Sequence, residues 1–284
     1  MHDDSDTAEP QLREPGTPFG SDTYYTVRWI PAAQRAGLAA LYALAHELDR
    51  IPTECSEPGV AHTKLAWWRE ELAAACAGRA RHPVTRSLAP TLAARGLTEP
   101  GPLLDLAAAV AAQVGAAPPA DFAQVIDCCR AGGALAVLEA CLLGARADDP
   151  MEAQFELGSA LYLTTALAAL GADRARARLF LPMDELAAAG VAPDALRADP
   201  AVPALRALLG RQVKRAAARI RAALDALPPA GREAQLATRI RARLALALLG
   251  EIRRDGCRLL ERRVALTPVR RLWIAWRTAR REGR

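Results

Sequence analysis

The sequence predicts an all-α fold, a single helical bundle, and three observations carry that prediction. Hydrophobic residues fill 51% of the 284 positions but aromatics only 5%, so the apolar content is mainly Ala and Leu. These are strong helix formers, whereas strands favour β-branched and aromatic side chains. From residue 21 onward nearly every segment repeats its apolar residues at helical spacing. No run of about 18 apolar residues occurs, so the helices are expected to pack on one another and not to span a bilayer. A sandwich, a barrel and a parallel-sheet fold are disfavoured, and 24% charged residues exclude a wholly disordered chain.

Each element follows from its local pattern. Residues 1–20 carry five acids and one Arg, with neither a basic nor an apolar leader region. They read as a disordered acidic segment without a signal peptide, followed by one helical domain over 21–284. Leu38, Leu41, Tyr42, Ala45 and Leu48 share a face of a helix over 31–51, with Pro31 in its first turn and Pro52 ending it. The next helix opens after Ser56-Glu57-Pro58, buries Ala61, Leu65, Trp68, Leu72 and Cys76, and stops at Gly78. Trp67 sits off that stripe and should face a second element. Segments 84–95, 102–116 and 121–143 read as helices, divided by Glu99-Pro100-Gly101-Pro102 and Pro118-Pro119.

Asp149-Pro150 reads as the N-cap and first position of a helix running to about Leu170. Asp148-Asp149 imitates a metal pair, but capping explains it better. Residues 179–182 read as extended, and a short helix over 183–189 closes at Gly190. Helices near 200–226, 232–263 and 268–281 complete the chain. No fixed-period repeat or wide linker divides it.

Charge is uneven. Only Lys64 and Lys214 among the 37 basic residues are lysine, which reads mostly as compositional bias with a weak leaning toward anionic partners. Residues 253–284 hold eleven Arg against Asp255, Glu261 and Glu282, more positive charge than the whole chain carries net. Within them, Val269, Leu272, Trp273 and Trp276 form one apolar stripe. It either docks onto the bundle or meets an anionic membrane surface. The six cysteines show no C-x-x-C spacing and His2, His46, His62 and His82 no ligand spacing, so neither a disulfide frame nor a zinc site is expected.

The common catalytic motifs are missing: no Gly-rich phosphate loop, no G-x-S-x-G, no H-E-x-x-H. Five segments in order carry a different signal. They are Tyr24-Tyr25-Thr26-Val27-Arg28-Trp29 with Arg35 and Leu41-Tyr42-Ala43-Leu44; Leu65-Ala66-Trp67-Trp68-Arg69-Glu70-Glu71-Leu72 with His82-Pro83-Val84; and Cys128 with Gly132-Gly133. The last two are Arg178-Leu179-Phe180-Leu181-Pro182 and Arg262 to Leu272. Together they resemble the squalene/phytoene synthase family of the all-α isoprenoid synthase fold, over about residues 21–281. That resemblance implies a bundle around a central cavity. Glu47 with Ile51, Glu57-Pro58 and Leu65-x-Trp67-Trp68-Arg69 look most like a branch with degraded aspartate motifs. That branch includes a mitochondrial complex I assembly factor.

In the family, two D-x-x-x-D motifs on facing helices hold Mg²⁺ against prenyl diphosphates, since carboxylates four apart share a helical face. The first motif falls on Asp49-Arg50-Ile51-Pro52-Thr53 and the second on Ala169-Leu170-Gly171-Ala172-Asp173. Thr53 and Ala169 replace two of the four carboxylates. Asp49 and Asp173 are therefore the candidate metal and diphosphate residues, with Arg28 and Arg178 as candidate diphosphate contacts. The bland alternatives are arginine partners, a cap or a solvated carboxylate. Tyr42, Ala45, Tyr162, Thr165 and Ala169 are candidate cavity-lining residues. Small Gly158, Ser159, Ala160 and Ala166 leave room for an apolar chain or, equally, pack helices closely.

The expected function is a squalene/phytoene synthase-like protein without catalysis. It would bind a prenyl or other lipid, or act as an assembly or interaction factor for a membrane complex. The alternative is a head-to-head prenyltransferase condensing two farnesyl or geranylgeranyl diphosphates. No cofactor is expected in the first case and Mg²⁺ in the second. The expected setting is cytoplasmic with peripheral contact to anionic membrane, and no nucleic-acid partner is expected.

Overall fold

The computed structural model describes residues 16–146, 148–171, 180–191 and 203–282. Among the described residues every regular element is a helix. In chain order they are α1 (Asp22–Val27), α2 (Ala32–Glu54), α3 (Pro58–Cys76), α4 (Pro83–Ala94), α5 (Gly101–Ala111) and α6 (Phe122–Asp127). Then follow α7 (Arg130–Leu142), α8 (Glu152–Ala169), α9 (Met183–Ala188), α10 (Pro203–Ala226), α11 (Arg232–Arg254) and α12 (Pro268–Glu282).

Local chemistry sets the starts. The Ser21 hydroxyl accepts the Tyr24 N–H at 3.0 Å, and the Asp121 carboxylate accepts the Gln124 N–H at 2.9 Å. Each satisfies one orphan donor of a first turn. The expected stripe of α3 is buried at Ala61, Leu65, Trp68 and Leu72, whereas Cys76 is only half-buried. Trp67 is 41% exposed and meets the His82 ring at 6.0 Å, the N-cap of α4.

Several boundaries differ from expectation, each for a visible reason. Pro52 does not end α2. It sits in the last turn, where its missing N–H forfeits a single helical bond, and the Cys55 N–H still reaches the Ile51 carbonyl at 3.1 Å. The segment 121–143 is two helices, parted at Cys128 and Cys129. There the Cys129 N–H turns tightly to the Ile126 carbonyl at 2.9 Å, and the Gln113 amide donates to the Cys128 carbonyl at 3.2 Å. Helix α5 ends at Ala111, short of Gly115. Asp149 does not cap α8: its carboxylate accepts the Arg146 N–H at 2.7 Å and closes the preceding turn. Helix α11 stops at Arg254, because Gly256 and Cys257 turn left-handed, with φ of 74° and 58°.

Two apolar cores result. One gathers α1 to α5, α7 and part of α11 around Leu38, Leu41, Leu44, Leu72, Leu88 and Leu138. The other gathers α8 to α11 around Leu157, Leu163, Leu167, Leu208, Ile220 and Ile252. Tyr162 of α8 packs against both, so it stands at their seam.

Buried Glu71 pins α3 to α4. It accepts the N–H groups of Arg81 at 2.7 Å and His82 at 2.9 Å, the Thr85 hydroxyl at 2.6 Å and the Arg81 Nε at 3.1 Å. Burial pushes its pKa up, but these donors, Thr85 foremost, outweigh burial and hold it down, from 4.5 to about 2. The stability this carboxylate contributes is fully present above pH 4.5 and lost as pH falls through about 2. Glu71→Gln is expected to destabilise by about 1–3 kcal/mol at neutral pH and to flatten the acid limb. Urea titrations across pH check both, and an unchanged acid limb would contradict the assignment.

Candidate functional site

The site forms where α2, the turn after α5 and α8 converge on the seam. The Tyr162 hydroxyl donates to Asp49 Oδ1 at 2.5 Å. Gln113, 4% exposed, places Nε2 at 3.2 Å from the same hydroxyl oxygen. The Phe180 ring lies 6.0 Å from that of Tyr162. Two residues that periodicity put on separate faces, Asp49 and Tyr162, thus meet through a hydrogen bond, with a neutral amide as third member.

Ala45, Asp49, Tyr162 and Ala166 are half-buried, and Thr165 and Ala169 are exposed. The small residues behind them serve packing instead. Gly158, Ser159 and Ala160 are buried, and a Cβ on Gly158 would fall 2.2 Å from the Gly132 carbonyl oxygen of α7.

The remaining candidates distribute as follows. Thr53 is exposed and gives its hydroxyl to the Arg50 carbonyl at 2.8 Å. Arg50 is clasped on its own helix by Glu54 at 2.6 Å and Glu47 at 3.7 Å. Arg28 is exposed, donates to the Tyr24 hydroxyl at 2.9 Å and lies over that ring. Among the described residues no contact joins it to Asp49. Tyr42 is buried, with the Arg241 guanidinium 5.6 Å from its ring centre. Burial, and then the Glu139 carboxylate, push its pKa well up, so it stays a neutral phenol. Asp173 and Arg178 lie outside the described residues.

Sequence reasoning missed two things. Gln113 lies in the apolar segment 102–116 without a motif to mark it, although a Gln in such a run needs partners. The interior ion pair of Glu139 with Arg241 also escaped. Its signal was a lone Glu inside the apolar segment 134–143.

Mg²⁺ takes six oxygens in near-octahedral geometry. The described residues bring one carboxylate to this place, already hydrogen-bonded to a phenol, beside a neutral amide. Among them no three Asp, Glu, His or Cys side chains gather as a metal site.

Comparison with known proteins agrees with the architecture. The sequence model of the squalene/phytoene synthase family matches residues 17–270. Over 227 residues the chain is 28% identical to a presqualene diphosphate synthase of Rhodopseudomonas palustris, covering 76% of this chain and 77% of that one. It is 25% identical over 203 residues to a chloroplastic phytoene synthase of Narcissus pseudonarcissus, covering 68% of this chain and 48% of that protein. A crystal structure of a dehydrosqualene synthase with ligand superposes with a TM-score of 0.74 over 92% of both chains, at 18% identity. A squalene synthase from Alicyclobacillus acidocaldarius gives 0.68 over 82% of this chain and 88% of that one, at 24% identity. Both structures share the all-α fold.

Proposed function

The chain belongs to the squalene/phytoene synthase family, and on that premise we propose that it binds a prenyl or related lipid without condensing prenyl diphosphates. The observation that carries this reading is that Thr53 and Ala169 stand where two of the four motif carboxylates would be. Head-to-head condensation needs cations to neutralise a departing diphosphate. Here the Thr53 hydroxyl turns to its own backbone and Ala169 has no polar side chain, so these two positions offer a cation no carboxylate. The small side chains Ala45, Ala166 and Ala169 near Asp49 and Tyr162 are what favours an apolar chain here. Binding of this kind also fits an assembly or interaction factor that presents or senses a lipid.

A second reading, a working prenyltransferase using Mg²⁺, draws on the 28% identity to a presqualene diphosphate synthase and on the retained Asp49. One experiment separates the two. Purified protein is incubated with farnesyl or geranylgeranyl diphosphate and Mg²⁺, with hydrocarbon products and released diphosphate measured and bound lipid read by native mass spectrometry. The expected result is bound prenyl lipid and no product above a heat-killed control. Product that vanishes in Asp49→Ala would establish the second reading instead. Thr53→Asp with Ala169→Asp is expected to raise Mg²⁺-dependent affinity for a non-hydrolysable prenyl diphosphate analogue by about tenfold, about 1.4 kcal/mol. Calorimetry checks it, and no gain would contradict the placement of the two lost ligands.

A further inference from the structure

We propose that α12 is a membrane-docking helix for anionic phospholipid, whether or not the chain condenses prenyl diphosphates. The helix is already seated on the bundle, but by the face that carries Ile274, Ala275, Thr278 and Ala279. Ala275 is fully buried and Thr278 is 6% exposed. Arg271 pairs with Asp22 of α1 at 3.1 Å, and Glu282 with Arg239 of α11 at 3.1 Å, so both ends are clamped. The apolar stripe therefore points outward. Val269 is 77% exposed, Leu272 41%, Trp273 50% and Trp276 38%. Four large apolar side chains on one clamped, solvent-facing helix form a patch that calls for a partner.

Charge names the partner. Arg277 lies over the Trp273 ring at 5.0 Å and Arg280 over Trp276 at 5.3 Å. Arg243, Arg270, Arg277 and Arg281 line a cleft between α11 and α12, with Trp273 at its wall. Among the described residues the acids nearby are spent: Glu282 holds Arg239 and Arg243, and Glu251 holds Arg254 and Arg270. Among the described residues Arg277, Arg280 and Arg281 have no carboxylate partner. Trp beside Arg suits the boundary between headgroups and acyl chains, where the indole sits at the ester level and the guanidinium holds a phosphate. A second copy of this helix fits worse, because its arginines would meet their own kind. A nucleic acid would leave Val269 and Leu272 uncovered. No described helix is long and apolar enough to cross a membrane, so the contact is peripheral.

The test uses the full chain with vesicles of phosphatidylcholine alone or mixed with phosphatidylglycerol, in sedimentation and in quenching of tryptophan by brominated acyl chains. The expected result is binding at least tenfold tighter to the anionic vesicles, weakened by salt. Trp273→Ser with Trp276→Ser should remove the quenching and weaken binding about tenfold. Arg277→Gln, Arg280→Gln and Arg281→Gln together should remove the anionic preference. All these side chains are exposed or partly exposed, and circular dichroism confirms that the variants fold. Equal recovery with neutral and anionic vesicles would overturn the proposal. So would unchanged quenching in the double Trp variant, or loss of vesicle binding to free inorganic phosphate at equal ionic strength. Concentration-dependent dimerisation that the Trp variant abolishes would assign the stripe to a second copy instead.

Discussion

Glu139→Leu is expected to cost about 3–5 kcal/mol of folding stability, because it strands a buried guanidinium. Glu139 is fully buried on α7, where it accepts the Thr238 hydroxyl at 2.7 Å and pairs with Arg241 of α11. Gln154 of α8 joins the group, donating to Thr238 at 2.6 Å and to the Ala136 carbonyl at 2.9 Å. The Thr238 hydroxyl therefore links the carboxylate of α7 to α8 and α11. Burial pulls the Arg241 pKa down, but Glu139, then Tyr42 and Asp22, more than reverse it, so the cation remains charged and needs its anion. Removing Glu139 alone leaves that charge uncompensated. Removing both charges, as Glu139→Leu with Arg241→Leu, is expected to recover most of the loss, since paired apolar replacements avoid the desolvation penalty. Urea midpoints of the two variants decide it. A single variant as stable as the parent, or a double variant no better than the single, would contradict the role given to the pair.

Helices were legible wherever an apolar face repeats, and least legible where a single side chain decides. Leu38, Leu41, Tyr42 and Leu48 are buried as their spacing required. The ends of α7 and α8 depend instead on what Gln113 and Asp149 bind, which spacing does not encode. The site behaves the same way. Asp49 was legible as a surviving motif residue and Tyr162 as a neighbour on an inward face. Their bond joins positions 113 residues apart, and only tertiary packing makes it. Glu139 and Arg241, 102 apart, were hidden for that reason. In α12 the pattern identified the apolar stripe but not the docked face. Ala275 and Thr278 carry little hydrophobic signal, and the decisive clamps come from Asp22 and Arg239 on other helices.

Gly158→Ala is expected to destabilise the fold by about 1–3 kcal/mol, the usual range for overpacking. The sign is the informative part, because Gly→Ala within a helix ordinarily stabilises by about 1 kcal/mol. At Gly158 the added Cβ would lie 2.2 Å from the Gly132 carbonyl oxygen and 2.5 Å from the Ala136 Cβ. Backbone atoms cannot rotate away, so α7 and α8 must part. The reciprocal change, Gly132→Ala, places a Cβ 2.4 Å from that of Tyr162 and 2.5 Å from the Gly158 carbonyl oxygen. Either shift moves Tyr162 relative to Asp49, so loss of prenyl-lipid binding should accompany the loss of stability. Gly250→Ala on α11 is the control: its Cβ would meet nothing within 4 Å, and it should leave stability unchanged or improved. Thermal and urea unfolding of the three variants, with bound lipid read by native mass spectrometry, test the point. A Gly158→Ala protein as stable as the Gly250→Ala control would mean that these two glycines do not set the approach of α7 to α8. The site would then lose its structural link to that helix pair.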